Sequence, residues 1–409
     1  MKPITNENFL KADRFLLTPF YFFWIIAILP KILQLFFLIA ILLLFIHKKI
    51  NQTNIISSLI LAYIIIYAIS FMVNAFSTVH DSDRLLASLN TLLTWIVAFL
   101  YFQVFLNNPL CLVKIRKIVF YNILVLFGLY AFMQMLQLIG MKEFMFFGNF
   151  LFFNSWFSGG EQHRFQAFLE YPNLIPLLFM IFLPFTMNNF KNNRVRIMGF
   201  IGLILIVVYA SLSRSGLLAI LAGIFLFLLI RFAASKAKLF IGLLALTSIC
   251  LITINYLDSY LIDMFGQYAS AREGSNATRG NIYSTSIKKA FAESPLIGMG
   301  IKDLSPYDLI PFGSHSTYVG FFYKTGIIGF IIGTALVLCL NYKIYKQSKS
   351  IQSDRLTLFS CMFLAMTFML IFEDLDGSNW LLVFYFSVAG VVLNKRNWSH
   401  SNENMLSDI

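Results

Sequence analysis

Long apolar runs separated by short polar segments dominate the chain. A helix needs roughly 20 apolar residues to cross the hydrocarbon core of a bilayer. About twelve runs approach or exceed that length, and they cover residues 15–29, 31–46, 55–76, 85–106, 118–140, 173–187, 197–212, 216–230, 239–256, 317–341, 356–372 and 379–393. The pattern predicts an all-α polytopic membrane protein with about 12 transmembrane helices, folded as a single integral-membrane domain over residues 1–409.

The first two runs are short, and only Pro30 and Lys31 separate them. This arrangement predicts a tight hairpin or a broken, partly re-entrant pair of helices. The first run follows three basic residues, and no small-residue cleavage site comes after it. We therefore expect it to be retained as a span rather than removed as a signal peptide.

Two polar segments, about 141–172 and 257–316, are much longer than the others. Within the second, apolar residues recur at helical spacing while Lys288 and Lys289 lie opposite them, which predicts an amphipathic helix at the membrane interface. The apolar positions are Ile282, Ile287, Ala290 and Phe291. Ser294 and Pro295 are expected to end this helix.

The composition excludes an ordinary soluble domain. Hydrophobic residues make up 59% of the chain and charged residues only 12%, whereas soluble domains carry about 25% charged residues. The four cysteines lie in or beside apolar runs without paired spacing, so the sequence suggests neither a disulfide framework nor a thiolate metal site.

The formal net charge of +12 is explained by membrane topology. Most of the 31 basic residues fall in every second segment between the runs, as the positive-inside rule requires if both termini are cytoplasmic. The long segments 141–172 and 257–316 are then external. A nucleic-acid partner is not needed to explain the charge. The cytoplasmic segments are also too short for a nucleotide-binding domain, and no phosphate-binding glycine pattern is present.

Among the basic residues that lie outside the membrane or at its outer edge, against this rule, four attract interest. They are Arg164 in "HRFQAFLEYPN", Arg214 in "SLSRSG", Arg279 in "ATRGNIY" and His315 in "GSHSTY". Arginine grips phosphate or carboxylate with a planar pair of donors and keeps its charge. Histidine takes up a proton near neutral pH. Together these residues suit an anionic substrate at the external surface.

Each of these residues also has a structural interpretation. Arg214 is equally well explained as an interface anchor whose charged end reaches water. A solvated or salt-bridged arginine is the commoner case for Arg164 and Arg279. For His315 taken alone, a hydrogen-bonded structural histidine is commoner than a catalytic one.

The external acids offer a second kind of chemistry. Paired carboxylates occur in glycoside hydrolases and in calcium sites, and "EDLDG" at 373–377 resembles a fragment of a calcium loop, but it lacks the remaining ligands. We therefore expect no metal here and expect most of these acids to face water. They are Glu161, Glu170, Glu273, Glu373, Asp374 and Asp376.

Four short patterns, in this order along the chain, resemble the family of O-antigen polymerases and O-antigen ligases. They are Arg164 followed by Pro172-Asn173, "SLSRSGLLA" at 211–219, Arg279 followed by "PLIGMG" at 295–300, and "SHSTYVGFFYKTGIIG" at 314–329. The resemblance covers about residues 160–335. Many relatives have asparagine directly after the histidine, where this chain has Ser316.

The resemblance implies a metal-independent glycosyltransferase of the GT-C type in the bacterial cytoplasmic membrane. The donor would be a glycan on undecaprenyl diphosphate and the acceptor a second lipid-linked repeat unit, with no cofactor. Arg164, Arg214 and Arg279 would hold the diphosphate, and His315 would be the catalytic base. The bilayer, a chain-length regulator and a flippase of the same pathway would be its partners.

Two alternatives remain. An O-antigen ligase would transfer the glycan to a lipid-A core instead, and the sequence does not display the acceptor. We favour a polymerase because the sequence around His315, "GSHSTY" followed by "KTGIIG", resembles that of capsular polysaccharide polymerases. A flippase or transporter fits less well, because such proteins usually show internal repeats and charged sites within the membrane. Here no repeat is evident and the spans are nearly free of charge.

Overall fold

Most of the chain is helical in the computed structural model. It describes residues 15–45, 47–48, 50, 53–77, 81–155, 162–186, 194–233, 273–305 and 310–398. The helices over these residues are α1 Thr18–Tyr21, α2 Phe23–Ile28, α3 Lys31–Leu43, α4 Ile55–Ser77, α5 Ser82–Asn107, α6 Leu112–Leu138, α7 Leu174–Thr186, α8 Arg194–Ala210, α9 Arg214–Ala233, α10 Glu273–Glu293, α11 Thr317–Ile351, α12 Asp354–Met369 and α13 Asn379–Leu393, followed by a short 3₁₀ turn Lys395–Trp398.

The helices agree with a polytopic membrane protein. Five of the described helices, α4, α5, α6, α9 and α11, are long and apolar enough to cross a bilayer, and four shorter apolar helices accompany them. The predicted run 239–256 lies outside the described residues. The number of about twelve spans and the GT-C assignment therefore stay predictions.

The first two apolar runs form a broken pair of elements. The run 15–29 is divided between α1 and α2, which have 4 and 6 residues. Pro30 then caps α3 with an extended backbone, φ −55° and ψ 148°. Proline removes a backbone donor and disfavours the helical conformation of the residue before it, so the chain turns here.

A small antiparallel sheet, which the all-α prediction missed, lies in the first long segment. Strands β1 Phe144–Phe146, β2 Asn149–Ser155 and β3 Gln162–Phe165 pair in the order β1-β2-β3. Phe147 and Gly148 form the two-residue turn of the first hairpin, and both have positive φ, as tight hairpin turns require. The register places Arg164 of β3 opposite Phe153 of β2.

The core is built from apolar helix faces and is rich in aromatic rings. Helix α13 is buried along almost its whole length and packs most extensively on α5. Its Trp380 and Phe384 meet the ring of Phe23 edge-on at centroid separations of 5.2 Å. Large apolar side chains such as Phe76 and Leu138 point outward, 83% and 87% exposed, as expected for surfaces that contact lipid.

Helix α11 is interrupted at Gly326, whose φ of 60° and ψ of −162° are not helical. The "PLIGMG" segment fills the interruption. The amide of Met299 donates to the Tyr323 carbonyl at 2.7 Å, and the amide of Ile327 donates to the Pro295 carbonyl at 2.9 Å. The segment thus replaces the hydrogen bonds that the break removes from the helix.

The predicted helix in the second long segment is present as α10, but its apolar residues do not form one face. Ile282 and Ala290 are buried, 2% and 0% exposed, and α10 packs on α11. Ile287 and Phe291 point away from the protein and are 43% and 68% exposed. The helix therefore belongs to the protein core on one side and presents apolar side chains outward on the other.

Candidate functional site

A cavity of about 710 Å³ lies where the first turns of several helices meet. Lys31 begins α3, Arg84 lies in the first turn of α5, Asn173 directly precedes α7, His315 precedes α11 by two residues, and Asn379 begins α13. All five residues line the cavity. Helix N-termini carry partial positive charge and free amide donors, so their convergence favours an anionic ligand.

Three of the four residues singled out in the sequence line this one cavity. They are Arg164 from β3, Arg279 from α10 and His315 from the segment before α11. These positions are up to about 150 residues apart in the chain, so only folding brings them together. The described residues that line the cavity do not include Arg214.

Arg164 is buried, and its guanidinium connects two of the sequence patterns. Its Nε donates to the carbonyl of Ser211 at 2.7 Å, and its Nη2 donates to the side-chain oxygen of Asn173 at 2.7 Å. Ser211 lies in the turn between α8 and α9, and Asn173 lies just before α7. The arginine therefore fixes the relative position of these two segments at the cavity wall.

Glu373 links Arg164 to Arg279 through Asn173. The Asn173 Nδ2 atom donates to Glu373 Oε1 at 2.5 Å, and Arg279 Nη2 lies 3.0 Å from the same oxygen. Glu373 is only 2% exposed, and the side chain of Arg279 is 14% exposed. The expectation that Glu373 faces water was wrong, because the folded chain brings an arginine and an asparagine to its carboxylate.

His315 lies in a tightly held segment. Its backbone has a φ of 60°, in the left-handed region that few non-glycine residues adopt, and its carbonyl accepts a 2.5 Å hydrogen bond from the hydroxyl of Tyr283. Burial raises the pKa of Tyr283 to about 12, an effect that Glu373 reinforces and Arg279 opposes. The hydroxyl therefore stays protonated at neutral pH and can donate this bond.

The residues that follow His315 tie it to the Glu373 loop. Ser316 caps α11 by accepting from the amide of Val319 at 3.4 Å. The amide and the hydroxyl of Thr317 both donate to the carbonyl of Glu373, at 2.9 and 2.8 Å. Serine in place of the family's asparagine therefore serves as a helix cap here.

Arg214 is the first residue of α9, and the turn before it is closely packed. Leu212 in this turn has a φ of 51°. A Cβ atom on Gly216 would lie 2.2 Å from the Pro176 ring of α7, so only glycine fits at this contact. The "SLSRSG" pattern thus specifies a close helix contact next to the residue that Arg164 holds.

Two lysine–aspartate pairs border the cavity, and the sequence analysis overlooked them. Lys302 Nζ lies 2.5 Å from Asp374 Oδ2, and Lys324, within α11, pairs with Asp376 Oδ2. The indole of Trp95 also donates to Asp376 Oδ2, at 2.8 Å. Lys324 is 0% exposed and both aspartates are 9% exposed, so the expectation that these acids face water was wrong.

The pKa values of these groups reflect burial opposed by attraction within the pairs. Burial raises the pKa of Asp374, and Lys302 offsets only part of this effect. Burial also acts to raise the pKa of Asp376, but the attraction of Lys324 and Lys302 outweighs it and the pKa is lowered. Burial acts to lower the pKa of Lys302, and its two aspartate neighbours outweigh that and raise it.

The remaining acids have other positions. Glu170 accepts hydrogen bonds from Gln34, Ser378 and Trp380, at 2.8, 2.6 and 3.0 Å, which is a structural arrangement. Glu161 lies outside the described residues, as does the side chain of Glu273. Within the described part of the chain, no group of three or more His, Cys, Asp or Glu side chains is arranged to hold a metal ion.

Comparison with known proteins finds similarity to a solved structure and to a protein family. A chain in a solved structure described as "Structural coordination of polymerization and crosslinking by a peptidoglycan synthase complex" is similar over 84% of this chain and 98% of its own length, with a TM-score of 0.41 and 17% identity. No curated protein matches. Residues 199–333 match the family described as O-antigen ligase, a stretch that contains Arg214, Arg279 and His315. The chain is therefore a membrane protein in which residues 199–333 match the O-antigen ligase family.

Proposed function

We propose that the protein polymerises lipid-linked oligosaccharide repeat units into a surface polysaccharide at the outer face of the bacterial cytoplasmic membrane. The observation that carries the proposal is the single cavity that Arg164, Arg279 and His315 line together. The family match over residues 199–333 suggests the class of reaction, glycan transfer, and the cavity offers a place for it. The donor would be a glycan on undecaprenyl diphosphate, and the acceptor would be a second unit of the same kind.

The donor diphosphate would lie at the arginine side of the cavity. The side chain of Arg279 is 14% exposed there, and its ion pair with Glu373 holds the guanidinium in one orientation. The first turns of α3, α5, α7, α11 and α13 add partial positive charge. Fixed donors aimed at a leaving group stabilise the negative charge that develops on it.

His315 would act as the general base. The acceptor hydroxyl oxygen attacks the anomeric carbon of the donor sugar, and its proton passes to the imidazole. The bond between the anomeric carbon and the diphosphate oxygen breaks, and the lipid diphosphate leaves with the electron pair. Proton removal by a positioned base contributes about 10²- to 10⁴-fold to such reactions.

Arg164 and Arg214 take different parts in this proposal. Two nitrogens of Arg164 are bonded to Ser211 and Asn173, so it would act mainly by holding the cavity wall in place. Arg214 follows Ser211 by three residues, at the start of α9. It would bind the diphosphate only after the substrate has entered, since it is not part of the described lining.

Extension of a single lipid-linked repeat unit by the purified protein tests the proposal. A polymerase given undecaprenyl-diphosphate-linked repeat units and no other acceptor should produce a ladder of longer lipid-linked glycans, visible on a gel. The His315→Ala variant, purified in equal amount, should produce none. If the wild-type protein forms no ladder from its native repeat unit, the polymerase proposal is wrong.

The second candidate is an O-antigen ligase, the activity for which the family matching residues 199–333 is named. The same assay separates the two. A ligase should give no extension of the repeat unit alone, but it should transfer the glycan once lipid-A core is added. Transfer to the core without any ladder would therefore replace the polymerase proposal with the ligase.

A further inference from the structure

The cavity reaches the protein surface at two neighbouring helices. Among the described residues that line it, the exposed ones all lie in the first two turns of α3 and α5, and they are Lys31, Ile32, Asp83, Leu86 and Ala87. The described lining residues from the other elements are buried or half-buried. We call these two helix starts, residues 31–32 and 83–87, the α3–α5 mouth.

Hydrogen bonds fix α3 and α5 relative to each other at and below the mouth. Asn379 Nδ2 donates to the Lys31 carbonyl at 2.6 Å, and Asn90 Nδ2 donates to Asn379 Oδ1 at 3.0 Å. About two turns further along α3, the Leu38 carbonyl accepts a 2.9 Å hydrogen bond from the hydroxyl of Tyr101 in α5. The two helices also pack on each other. The mouth is therefore a fixed part of the fold.

The length of α5 places the mouth at the edge of the hydrocarbon core. The helix has 26 residues and is about 39 Å long, which exceeds a core of about 30 Å by about 9 Å. If the helix is centred on the core, Asp83 and Arg84 lie at the level of the lipid headgroups and Leu86 lies among the acyl chains. Ile32 and Leu86 are 47% and 52% exposed, so this part of the mouth faces lipid.

An apolar surface continues from the mouth along both helices. Its residues recur every three or four positions, so on each helix they share one face. Their exposed fractions lie between 37% and 64%. They are Ile32 and Phe36 on α3 and Leu86, Leu89, Leu93 and Ile96 on α5. Exposed apolar side chains are ordinary on a membrane helix, but these two rows begin at residues that line the cavity.

Two cations lie at the top of this apolar surface. Lys31 is exposed and Arg84 is half-buried, and both line the cavity. Within the part of the chain that the structure describes, neither side chain makes a hydrogen bond or an ion pair. Asp83 also lines the mouth and offsets one of the two charges, which leaves the mouth positive. Both cations are common ligands of phosphate.

The cavity behind the mouth distinguishes between lipids. A cation above an apolar surface suits any lipid with an anionic head, including an ordinary phospholipid. The cavity of about 710 Å³ has the size of a ligand site, and a phospholipid headgroup at the surface does not need it. A lipid that carries a large polar group on its phosphate does need such a space.

We propose that the α3–α5 mouth is the lateral entrance for a polyprenyl-diphosphate-linked substrate. Lys31 and Arg84 bind the diphosphate at the rim, before the more buried Arg279 does, and the apolar surface of α3 and α5 holds the first isoprene units of the tail. This inference rests on the proposed function, which supplies a substrate with a lipid tail, and it names the route by which that substrate reaches the cavity.

Photo-cross-linking locates the entrance without requiring any transfer reaction. The probe is undecaprenyl diphosphate with a diazirine in its first isoprene units, irradiated with the full chain in lipid nanodiscs, and mass spectrometry identifies the labelled peptides. We expect labels in residues 31–43 of α3 and 82–96 of α5. Labels confined to other helices would overturn the entrance.

Two competitors separate the possible sources of an anionic head. Phosphatidylglycerol has one phosphate and no polyprenyl tail, and inorganic pyrophosphate has no tail at all. Neither should reduce the labelling of α3 and α5 by more than half when present in tenfold excess over the probe. Loss of the labels with phosphatidylglycerol would assign the mouth to ordinary anionic lipids, and loss with pyrophosphate would show that the apolar surface contributes nothing. Either result would overturn the proposal.

The cations are tested by Lys31→Gln/Arg84→Gln. At a subsaturating probe concentration this variant should reduce the yield of labelled α3 and α5 peptides at least tenfold, because it removes both charged donors to the diphosphate. The matched control is Lys343→Gln/Lys346→Gln, which removes two exposed cations of α11 outside the described lining and should keep the yield within twofold. Equal yields in the two variants would contradict a role of the cations.

The width of the mouth is tested by a second variant, which also serves if the first does not fold. Ala87→Trp adds a large side chain at an exposed position of the lining, and it should reduce the yield at least fivefold. Ala292→Trp makes the same change at an exposed position of α10 outside the described lining and should leave the yield unchanged. Unchanged labelling in Ala87→Trp would show that the lipid does not pass between α3 and α5.

The outcomes also separate this inference from the proposed function. Labelling of α3 and α5 that depends on Lys31 and Arg84, in a protein that forms no ladder from lipid-linked repeat units, supports the entrance and rejects the polymerase. A protein that forms the ladder but is labelled only on other helices supports the polymerase and rejects the entrance.

Discussion

The proposed proton transfer depends on one imidazole, that of His315. Its backbone carbonyl is held by Tyr283, and the residue lines the cavity. We predict that His315→Ala lowers the rate of glycan extension at least 100-fold, within the range of general-base catalysis, while the unfolding midpoint changes little because the held carbonyl remains. The measurement is the initial rate of ladder formation at equal protein amounts.

The control for His315→Ala is His163→Ala, which removes an exposed histidine of β3. His163 meets the ring of Phe152 and is not part of the described cavity lining. It should retain more than half of the wild-type rate. Full extension activity in His315→Ala would exclude His315 as the base.

A lysine substitution at Arg279 separates the effect of its charge on the extension rate from the effect of its planar geometry. Arg279→Lys keeps the positive charge beside Glu373 but loses the planar pair of donors that grips a diphosphate. We predict at least a tenfold fall in the extension rate. Arg231→Lys, at a surface pair with Asp354 whose side chains are 56% and 66% exposed, should leave the rate unchanged. A fully active Arg279→Lys protein would remove the argument for a diphosphate grip.

Lys324 carries a buried charge whose removal should affect stability. Lys324→Met leaves Asp376 ionised and without its main partner, and breaking a buried pair in this way costs about 3–5 kcal/mol. We predict a clear fall in the unfolding midpoint of the detergent-solubilised protein. Lys343→Met on the same helix, at an exposed position, should change it by no more than about 0.5 kcal/mol. Equal midpoints for the two variants would contradict the prediction.

The candidate site was only partly predictable from single residues. Arg164, Arg279 and His315 were found because an external cation in a membrane protein is an exception to the positive-inside rule. Glu373 and Asp374 were missed because acids are ordinary in external loops, and their partners lie about 70 to 200 residues away. Lys324 was overlooked although the sequence shows it as a lone lysine inside an apolar run, and such a residue usually has a functional or structural role.

At the level of elements, the break in α11 decides how the site is held. Gly326 has a positive φ, and a Cβ atom there would lie 2.3 Å from the carbonyl carbon of Leu296. We predict that Gly326→Ala prevents the "PLIGMG" segment from docking and sharply reduces the yield of folded protein in a size-exclusion assay. Gly128→Ala in α6, where a Cβ meets nothing within 4 Å, should fold normally. Normal yield and activity of Gly326→Ala would show that the break tolerates a side chain.

Helices were predictable as elements, whereas the sheet was not. Apolar runs longer than a strand leave a helix as the only element that satisfies its own backbone in lipid. The segment that forms β1 and β2, "FMFFGNFLFFNS", is a nearly continuous aromatic run without the alternation that indicates a strand. The pairing of β2 with β1 and with β3 reveals the sheet, and the pairing with β3 is a contact that the local pattern does not contain.

At the scale of the whole molecule, the arrangement of helix ends argues for one orientation. The helices whose first turns meet at the cavity, α3, α5, α7, α11 and α13, all begin on the side that the distribution of basic residues predicts to be external. The convergence of the helix N-termini places the cavity at one face of the membrane, and the charge between the runs predicts that this face is external. This prediction supports a reaction at the outer face.

Cysteine labelling in intact cells tests that orientation directly. In a chain whose four native cysteines are replaced by alanine, Lys288→Cys places a thiol on the exposed side of α10, and Gln352→Cys places one just after α11. The part of α11 after its break, from Ile327 to Ile351, is about 38 Å long and exceeds the bilayer core, so these positions should lie on opposite sides of the membrane. A membrane-impermeant maleimide should label Lys288→Cys in intact cells and Gln352→Cys only after permeabilisation. The reverse pattern would place the cavity in the cytoplasm, where a polymerase acting at the outer face could not use it.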